Sequence, residues 1–413
     1  MADRPTRPTA SILTVGSELV EGLRVDTNTR EVAFALAGAG YHVLEAVSVG
    51  DEADVVAETL ERLCNRDSLV IATGGLGPTH DDVTREAASR AVALPLAQDP
   101  SLLERLEAAG RRHTDPRAAE QVLRQADVLE GALVIPAVTG TAPGQVVVTP
   151  AGRLALLPGP PTEMRPMLEQ LVGDIAPGPG RPAHRELGCV GITESDAQVR
   201  ASEVLAGWDD IDLTVLARPG DVRIILFDAG AGEGALDAAI QQVAEALDEF
   251  VYATDESTLP EAILAAARER DLLLAVAESC TGGMISAALT DVPGASDVFL
   301  GGAVAYANTA KMALLGVSLK TLDEHGAVSA ETAGEMVRGV LDRLGADIAV
   351  AVTGIAGPGG GSAEKPVGTV WFGVCSARGC HETSRTFPGD RAAIRVRATS
   401  TALDLLRREI LGV

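Results

Sequence analysis

The chain has 413 residues, which is too long for one hydrophobic core, so two or three domains are expected. Its 58 acidic and 34 basic residues give a formal net charge of -24 at pH 7, and so acidic a surface argues against stable binding of nucleic acids or anionic membranes. Aromatic residues make up 3% of the sequence, which argues against a base-stacking surface of the kind that binds RNA.

The start of the chain and its cysteines indicate a cellular location. The first ten residues contain no apolar h-region, and no stretch approaches the roughly 18 consecutive apolar residues of a membrane span, so neither a secretory signal nor a membrane segment is expected. The five cysteines are Cys64, Cys189, Cys280, Cys375 and Cys380. They form no CxxC pair and lack the Cys/His spacing of a zinc site, so reduced thiols and a cytoplasmic location are expected.

The first part of the chain alternates strands and helices. The predicted elements are strand Ser11–Gly16, helix Thr27–Ala39, strand His42–Val49, helix Glu52–Asn65 and strand Ser68–Ala72. This alternation with short loops predicts a doubly wound parallel sheet, in which ligands bind at the carboxyl ends of the strands. The chemistry is therefore expected just after Val15 and just after Ala72.

A Gly-rich turn, Thr73–Thr84 (TGGLGPTHDDVT), follows the third strand. Its glycines would let a phosphate approach the backbone, and the helix predicted to begin near Asp82 would offer free N–H groups to an anion. The carboxylates of Asp81 and Asp82 suit a divalent cation that bridges to phosphate oxygens. A strand-to-helix turn capped by aspartate is the alternative interpretation.

Further segments of this part share one rim of the sheet and carry a resemblance. Five motifs between Gly16 and Met164 together resemble the molybdopterin-binding-type domain of the CinA (competence/damage-inducible protein A) family. They are GSELVEG, DTN, GGLGPTHDDVT, GTAPG and LPGPPTEM. The resemblance implies an ADP-ribose pyrophosphatase that depends on a divalent metal (Mg, Mn or Co), with metal ligands at Asp26, Asp81 and Asp82. The nucleotide contacts that it implies are Glu18, Asn28, Thr73, Gly74, Gly75, Gly77 and Thr79.

A domain boundary is predicted between Val172 and Arg185, where Pro and Gly are too frequent for a helix or a central strand. The elements predicted next are helix Glu194–Ala206, strand Asp221–Phe227 and helix Gly234–Glu249. This small α+β unit resembles the KH-like linker domain of the same family through GITES, Gly191–Ser195. It lacks the basic residues of a GXXG RNA clamp, so a structural role is expected.

The third unit begins with a helix from Leu259 to Arg270, and its strand Asp271–Ala277 runs into ESCTGG at 278–283. A hydroxyl on such a strand-to-helix turn is exposed beside the N–H groups of the new helix, which is what a nucleophile and an oxyanion hole need. Capping of the helix by Ser279 or Thr281 is the alternative interpretation.

Two later segments carry polar residues that fit the same chemistry. Lys311 stands near a predicted helix start, where the helix dipole would lower its pKa and make it a general base for a serine. The Gly-rich segment Thr353–Gly361 suits a loop that wraps a phosphate or a carboxamide with backbone donors. Arg391 or Arg395 could bind a phosphate, and a solvated helix start is the alternative.

Five C-terminal motifs resemble the C-terminal domain of the CinA family, whose activity is nicotinamide-nucleotide amidohydrolase. They are AESCTGG, VAYAN…K, GAVS, TGIAGPGGG…KPVGTV and GDR…R. The resemblance implies that Ser279 attacks the carboxamide of nicotinamide mononucleotide, Lys311 takes its proton and Tyr306 assists. Thr353 and the Gly-rich backbone would stabilise the oxyanion, Arg391 or Arg395 would bind the 5′-phosphate, and no cofactor is implied. Further substrate contacts are expected at Thr281, Gly282, Gly283, Asn308, Gly354, Gly357, Gly359 and Gly360.

The sequence thus predicts three domains. They are a molybdopterin-binding-like domain over 1–176, a small α+β KH-like domain over 183–252 and an α/β amidohydrolase domain over 258–413. A cytoplasmic homodimer that acts on nicotinamide mononucleotide and ADP-ribose in pyridine nucleotide salvage is expected, with no membrane partner and no stable nucleic-acid binding. The alternatives are a non-catalytic nucleotide- or protein-binding adaptor in competence or DNA damage, and molybdopterin handling by the N-terminal domain.

Overall fold

The computed structural model describes residues 7–110, 115–174 and 182–413. The chain divides into two compact units, one ending at Pro182 and the other beginning at Ala183. Residues 175–181 of the predicted boundary segment lie outside the described residues. Within the described ranges, no helix is both long enough and apolar enough to cross a membrane.

The first unit is built on a six-stranded sheet in the order β2-β1-β3-β8-β7-β6. Its strands are β1 Thr9–Val15, β2 His42–Val49, β3 Leu69–Thr73, β4 Leu96–Gln98, β5 Asp127–Leu129, β6 Leu133–Ile135, β7 Gly144–Val148 and β8 Arg153–Leu157. Its helices are α1 Ser17–Val20, α2 Asn28–Gly38, α3 Ala53–Cys64, α4 Thr84–Ala91, α5 Pro100–Gly110, α6 Pro116–Leu123 and α7 Pro161–Asp174. Strands β4 and β5 pair separately as an antiparallel ribbon.

Helices cover both faces of this sheet, as the doubly wound prediction requires. Apolar residues of α2 and α7 pack on one face, and those of α3 and α4 pack on the other. Strands β2, β1, β3 and β8 are parallel, but β7 is antiparallel to β8, and β6 is antiparallel to β7. The predicted parallel pairing is confirmed for β1, β2 and β3, and the sheet also contains the antiparallel strands β7 and β6, because a tight turn closed by Thr149 N and Gly152 O reverses the chain between β7 and β8.

The carboxyl ends of β1, β3 and β8 meet at one edge of the sheet. Gly74 follows β3 with a φ of 100°, and a Cβ there would lie 2.2 Å from the Val15 carbonyl oxygen. Only glycine fits this position, because both the positive φ and the close approach exclude a side chain. This packing lets the Gly-rich turn cross directly over the end of β1.

The second unit begins with a four-stranded antiparallel sheet in the order β10-β11-β9-β12. Its elements are β9 His184–Cys189, α8 Glu194–Leu205, β10 Ile211–Arg218, β11 Asp221–Asp228, α9 Glu233–Leu247 and β12 Val251–Ala253. Thr193 of the GITES motif caps α8, since its hydroxyl accepts a hydrogen bond from Asp196 N. Within this sheet the motif thus has a local structural role.

The second unit continues into a five-stranded sheet in the order β14-β13-β15-β16-β17. Its strands are β13 Leu274–Glu278, β14 Phe299–Val304, β15 Ile348–Gly354, β16 Thr369–Ser376 and β17 Gly379–Thr386. Its helices are α10 Leu259–Glu269, α11 Met284–Thr290, α12 Asn308–Leu315, α13 Leu319–His325, α14 Ala330–Leu344 and α15 Arg391–Leu411. Strands β13, β14 and β15 are parallel, β16 is antiparallel to β15, and β17 is antiparallel to β16.

This sheet also buries both of its faces. Helices α10, α11 and α15 pack on one face, and α12, α13 and α14 pack on the other. Thr258 begins α10 with a capping box, in which its side chain and that of Glu261 each bind the other's backbone N–H. The parallel ends of β13, β14 and β15 bring three of the sequence motifs to one edge.

The expectation of five reduced cysteines is wrong for two of them. Cys375 in β16 and Cys380 in β17 are direct partners across the antiparallel pair and form a disulfide. The other three, Cys64, Cys189 and Cys280, are free and buried.

Candidate functional site

Ser279 stands on a sharp turn between β13 and α11. Gly282 N donates to the Ser279 carbonyl oxygen at 3.1 Å, and Gly282 and Gly283 have φ values of 63° and 97°. Residues with side chains rarely adopt this left-handed backbone, so the glycines permit the reversal. The turn brings the Ser279 hydroxyl to the edge where β14 and β15 also end.

Lys311 of α12 points at this hydroxyl. Its Nζ lies 3.0 Å from Ser279 Oγ, 3.0 Å from the Ala305 carbonyl oxygen and 3.2 Å from the Tyr306 carbonyl oxygen. Lys311 is 1% exposed, and no carboxylate is among its partners in the described residues. Burial lowers the pKa of Lys311, in the same direction as the helix dipole was predicted to act.

The two carbonyl oxygens define how a neutral Lys311 amine would be oriented. An uncharged amine has two N–H bonds and one lone pair, and the carbonyls of Ala305 and Tyr306 can take both hydrogens. The lone pair then faces Ser279 Oγ and can accept its proton. The sequence-predicted pair of a serine and a basic lysine is therefore brought together.

Cys280 lies beside Ser279 but is directed into the apolar core shared by α10, α11 and α15. It is 5% exposed, although part of it also borders the cleft, and burial raises the pKa of its thiol to about 11. A thiol with that pKa is protonated at neutral pH and is a poor nucleophile. This environment favours Ser279 as the reactive group.

Glu278, which sequence reasoning passed over, organises the turn. Its buried carboxylate accepts hydrogen bonds from Gly283 N at 2.9 Å, Ile285 N at 3.2 Å and Ser286 N at 2.8 Å, and from Ser286 Oγ at 2.7 Å. The sequence analysis considered the N–H groups of the new helix as donors to an oxyanion, but these three already donate to Glu278. A glutamate at the end of an otherwise apolar strand was the available signal.

Two of the predicted catalytic side chains have other partners. Thr353 is buried, and its hydroxyl donates to the Ala327 carbonyl oxygen at 2.6 Å, so the structure does not support the predicted donation to an oxyanion. The Tyr306 side chain is exposed, and its hydroxyl accepts from Arg391 Nη2 at 2.8 Å. Tyr306 contacts Lys311 through its main-chain carbonyl instead.

The two candidate phosphate ligands differ in position. Arg391 borders the cleft and donates from Nη1 to the Gly357 carbonyl oxygen at 2.7 Å. Arg395 donates to the carbonyl oxygens of Cys280 and Thr281, at 3.1 and 2.7 Å, so it holds the turn from behind. This arrangement favours Arg391 over Arg395 as a contact for an anion.

The cleft around Ser279 has a volume of about 160 Å³. It is lined by Ser279, Cys280, Tyr306, Asn308, Lys311, Ala327, Val328, Thr353, Gly354, Ala356 and Arg391. Its lining thus holds two basic side chains and no carboxylate, in a chain whose net charge is -24. A cleft of this composition suits an anionic ligand.

Several predicted contacts are not part of this lining. Gly359 and Gly360 are exposed on the outer part of the Gly-rich loop, and Gly282 and Gly283 shape the turn without bordering the cleft. Thr281 is fully buried, with no hydrogen-bond partner for its hydroxyl among the described residues. Lys365 is a further residue that was missed: its Nζ donates to His325 O and Val328 O, which fixes the wall of the cleft.

A second cleft, of about 560 Å³, lies at the strand ends of the first unit. Its sequence-predicted members are Glu18, Asp26, Asn28, Thr73, Gly74, Gly75, Gly77, Asp81 and Asp82. Thr79 is outside the lining, because its N–H and hydroxyl both bind the Asp82 carboxylate. The rim predicted from the strand ends is therefore formed.

Asp26 and Asp82 are held by protein donors rather than left open for a metal. Asp26 accepts from Thr29 N at 2.9 Å, Thr29 Oγ1 at 2.6 Å and Thr14 Oγ1 at 3.0 Å. Burial raises the pKa of Asp26, but these hydrogen bonds outweigh it and hold the pKa below its ordinary value. Asp82 accepts from Gly77 N at 2.7 Å and from Thr79, so it folds the Gly-rich turn onto itself.

The three predicted metal ligands do not converge. Among the described residues, the grouping of His, Cys, Asp and Glu close enough to hold an ion is His184, Glu186 and Glu256, in the other unit. Asp81 is 60% exposed and Asp82 is engaged by the turn, so Asp26, Asp81 and Asp82 do not form a ready ligand set. The structure does not support the predicted metal triad.

Asn28 lines this cleft, and Arg85 supports the Gly-rich turn beside it. Asn28 Nδ2 donates to the Gly159 carbonyl oxygen at 2.8 Å, and its Oδ1 is buried without a partner among the described residues. Such an orphaned acceptor costs free energy unless a ligand or water donates to it. Arg85, which sequence reasoning missed, is buried under the Gly-rich turn and donates to Leu76 O and Gly77 O at 2.5 and 3.0 Å.

Comparison with known proteins agrees with this architecture. Residues 256–410 match the family model of the CinA C-terminal domain, and residues 11–177 match the "Probable molybdopterin binding domain" model. A relative from Symbiobacterium thermophilum, which bears a competence-damage inducible protein name, is 41% identical over 98% of this chain and 99% of its own. A CinA-like protein of Thermotoga neapolitana is 38% identical over 97% and 98% of the two chains.

Among solved structures, a competence/damage inducible protein from Agrobacterium tumefaciens is 46% identical. It covers 36% of this chain and 91% of its own, with a TM-score of 0.35. Identity above 37% with relatives of nearly the same length shows the relationship over the whole chain. The chain therefore belongs to the CinA family.

Proposed function

We propose that the C-terminal domain hydrolyses the carboxamide of nicotinamide mononucleotide to nicotinate mononucleotide and ammonia. The observation that carries the proposal is the 3.0 Å contact between Lys311 Nζ and Ser279 Oγ, made by a buried lysine without a carboxylate partner in the described residues. A lysine with a lowered pKa can activate a serine as an amide-cleaving nucleophile.

The reaction proceeds in two balanced halves. Ser279 Oγ attacks the carboxamide carbon while its proton passes to Lys311 Nζ, and the proton then leaves with the departing amine as ammonia. Water, deprotonated by Lys311, attacks the resulting ester, and the proton passes from Lys311 Nζ to Ser279 Oγ as the C–O bond to Ser279 breaks and the acid is released. The Cys280 N–H donates a hydrogen bond to the oxyanion, because the residue after a nucleophile on such a turn supplies that donor.

Substrate recognition in this proposal rests on the charges of the cleft. Arg391 borders it and no carboxylate does, which suits the 5′-phosphate of a mononucleotide, while Lys311 serves as the uncharged base. Arg391 binds the phosphate, and Tyr306 and Gly357 hold the guanidinium in place beforehand. Arg395 acts indirectly by positioning the turn that carries Ser279.

The test is ammonia release from nicotinamide mononucleotide by the purified full-length protein and by Lys311→Ala. Loss of the base should lower kcat by several orders of magnitude, as for other members of a catalytic unit. Lys320→Ala, an exposed lysine of the neighbouring helix, is the matched control and should keep full activity. If the unchanged protein releases no ammonia, the deamidase proposal fails and a non-catalytic adaptor in competence or repair becomes the better description.

A second proposal concerns the first unit, which we infer to cleave ADP-ribose with the help of a divalent metal ion. The supporting observation is the large cleft that joins the Gly-rich turn and the unpartnered Asn28 Oδ1. The lining carries more carboxylates than basic groups, so a cation would have to accompany a pyrophosphate. Because Asp26 and Asp82 are engaged by protein donors, the exposed carboxylate of Asp81, which lines the cleft, is the group that we expect to help hold that cation.

Assays of the full-length protein distinguish this proposal from its alternatives. Formation of AMP from ADP-ribose that depends on added Mg²⁺, Mn²⁺ or Co²⁺ supports it. Copurification of a pterin without hydrolysis would instead indicate molybdopterin handling.

We further propose a cytoplasmic homodimer, which light scattering should reveal as a mass of two chains.

A further inference from the structure

Glu163 lies in the first turn of α7 and lines the cleft of the first unit. It comes from the LPGPPTEM motif, for which no side-chain role has been assigned above. Among the described residues its carboxylate has neither a hydrogen bond nor an ion pair, and burial alone raises its pKa. A partly buried carboxylate that no protein donor satisfies can accept hydrogen bonds from a ligand or from water in the cleft.

The other acidic groups of this cleft are in different situations. Asp26 and Asp82 are engaged by protein donors, and Asp51 accepts from Ser17 N at 2.8 Å. Glu18 and Asp81 are 42% and 60% exposed. The other charged side chains that line the cleft with Glu163 are these five carboxylates and Arg24.

The backbone around Glu163 is shaped to cover its carboxylate. A Cβ at Gly140 would lie 2.2 Å from the Glu163 carboxyl carbon, and Gly140 has a φ of 71°. Thr139 Oγ1 donates to the Thr162 carbonyl oxygen at 2.9 Å, which ties this loop to the first turn of α7. The loop thus shields the carboxylate from one side and leaves the cleft side open.

We propose that Glu163 is the general base of this cleft and activates the water that cleaves a nucleoside pyrophosphate. The inference rests on the proposed hydrolysis of ADP-ribose. The water oxygen forms a bond to one phosphorus, and the bridging P–O bond breaks toward the other phosphate. One water proton passes to Glu163, which later returns it to solvent, and the leaving phosphate departs as the anion.

The test compares Glu163→Gln with Glu169→Gln, an exposed glutamate on the same helix, in the full-length protein. Loss of a general base lowers kcat by roughly 10²–10⁴-fold. Glu163→Gln should show that loss with ADP-ribose affinity within a few-fold of normal, and Glu169→Gln should match the unchanged protein. The unchanged protein should lose kcat as pH falls through the raised pKa of Glu163, and this acid limb should be missing from the residual activity of the variant.

Three outcomes overturn the inference. If Glu163→Gln keeps full kcat, or loses kcat together with ADP-ribose binding and melting temperature, Glu163 is not the base, although ADP-ribose hydrolysis itself still stands. If the unchanged protein hydrolyses no ADP-ribose under any metal condition, the proposed function falls and the inference falls with it. Glu163→Asp, which retains a carboxylate, should recover part of the activity and all of the acid limb.

Discussion

The Lys311 amine is buried among Ser279 and two main-chain carbonyls, and its charge state depends on pH. Because burial lowers its pKa below the ordinary 10.5, the folded protein releases this proton at a lower pH than the unfolded chain does. Between these two pKa values the unfolded state binds more protons, so the free energy of unfolding rises with pH across that window. In the proposed deamidation, the same deprotonation would provide the base for Ser279.

We therefore predict that kcat/KM for deamidation rises with pH through the lowered pKa of Lys311 and levels off above it. Lys311→Met should remove this limb of the activity profile and flatten the rise of stability in the same window. Denaturant titrations and initial rates over a pH series measure both effects. Retention of the stability slope in Lys311→Met, with Lys320→Met as the exposed control, would assign the slope to another group.

A second prediction separates Ser279 from its neighbour. Ser279→Ala should lower kcat by several orders of magnitude with an unchanged melting temperature, because only a nucleophile is lost. Cys280→Ala should reduce kcat no more than several-fold and cost about 1 kcal/mol of stability, since the thiol packs in the core. An active Ser279→Ala beside a dead Cys280→Ala would reverse the two roles.

Among the secondary-structure elements, the strand-to-helix turn after β13 depends on one carboxylate. Glu278 satisfies three N–H groups at the start of α11 and the Ser286 hydroxyl, so the turn cannot relax without leaving buried donors unpaired. A short, unfavourable connection is thereby held in the shape that presents Ser279.

We predict that Glu278→Gln destabilises the protein by about 1 to 3 kcal/mol, because the NH₂ group of the glutamine would face backbone N–H groups that need an acceptor. It should also lower kcat for deamidation, since the turn loosens, while KM changes less. Thermal unfolding and steady-state kinetics provide the measurement, with exposed Glu364→Gln as the comparison. An unchanged kcat in a destabilised Glu278→Gln would limit this residue to folding.

The elements differ in how far the sequence predicts them. The periodic strands follow from local pattern, and His42–Val49 has the predicted bounds. The reversal at β7 and the pairing of Cys375 with Cys380 depend on which strands become neighbours, which no local pattern contains. Likewise, the sequence motifs led us to predict that Ser279 and Lys311 lie close together. The hydrogen bond from the Thr353 hydroxyl to the Ala327 carbonyl oxygen depends on the tertiary structure and could not be predicted.

For the whole molecule, the two clefts belong to different compact units and use different side chains. We predict that Asp81→Ala lowers metal-dependent ADP-ribose cleavage but leaves deamidation unchanged. EDTA should stop the first reaction and spare the second, because His and carboxylate ligands are absent from the described lining around Ser279. Loss of ammonia release on chelation, restored by added metal, would contradict the serine–lysine scheme.

The cleft around Ser279 is a basic recess in a strongly acidic chain, and this contrast bears on turnover. Deamidation replaces a neutral amide by a carboxylate, so each cycle adds one negative charge to the bound nucleotide. The long-range field of a chain with a net charge of -24 repels the product more than the substrate. For the proposed deamidation, we therefore expect the protein's electrostatic potential to favour release of the product, an effect that added salt would screen and weaken.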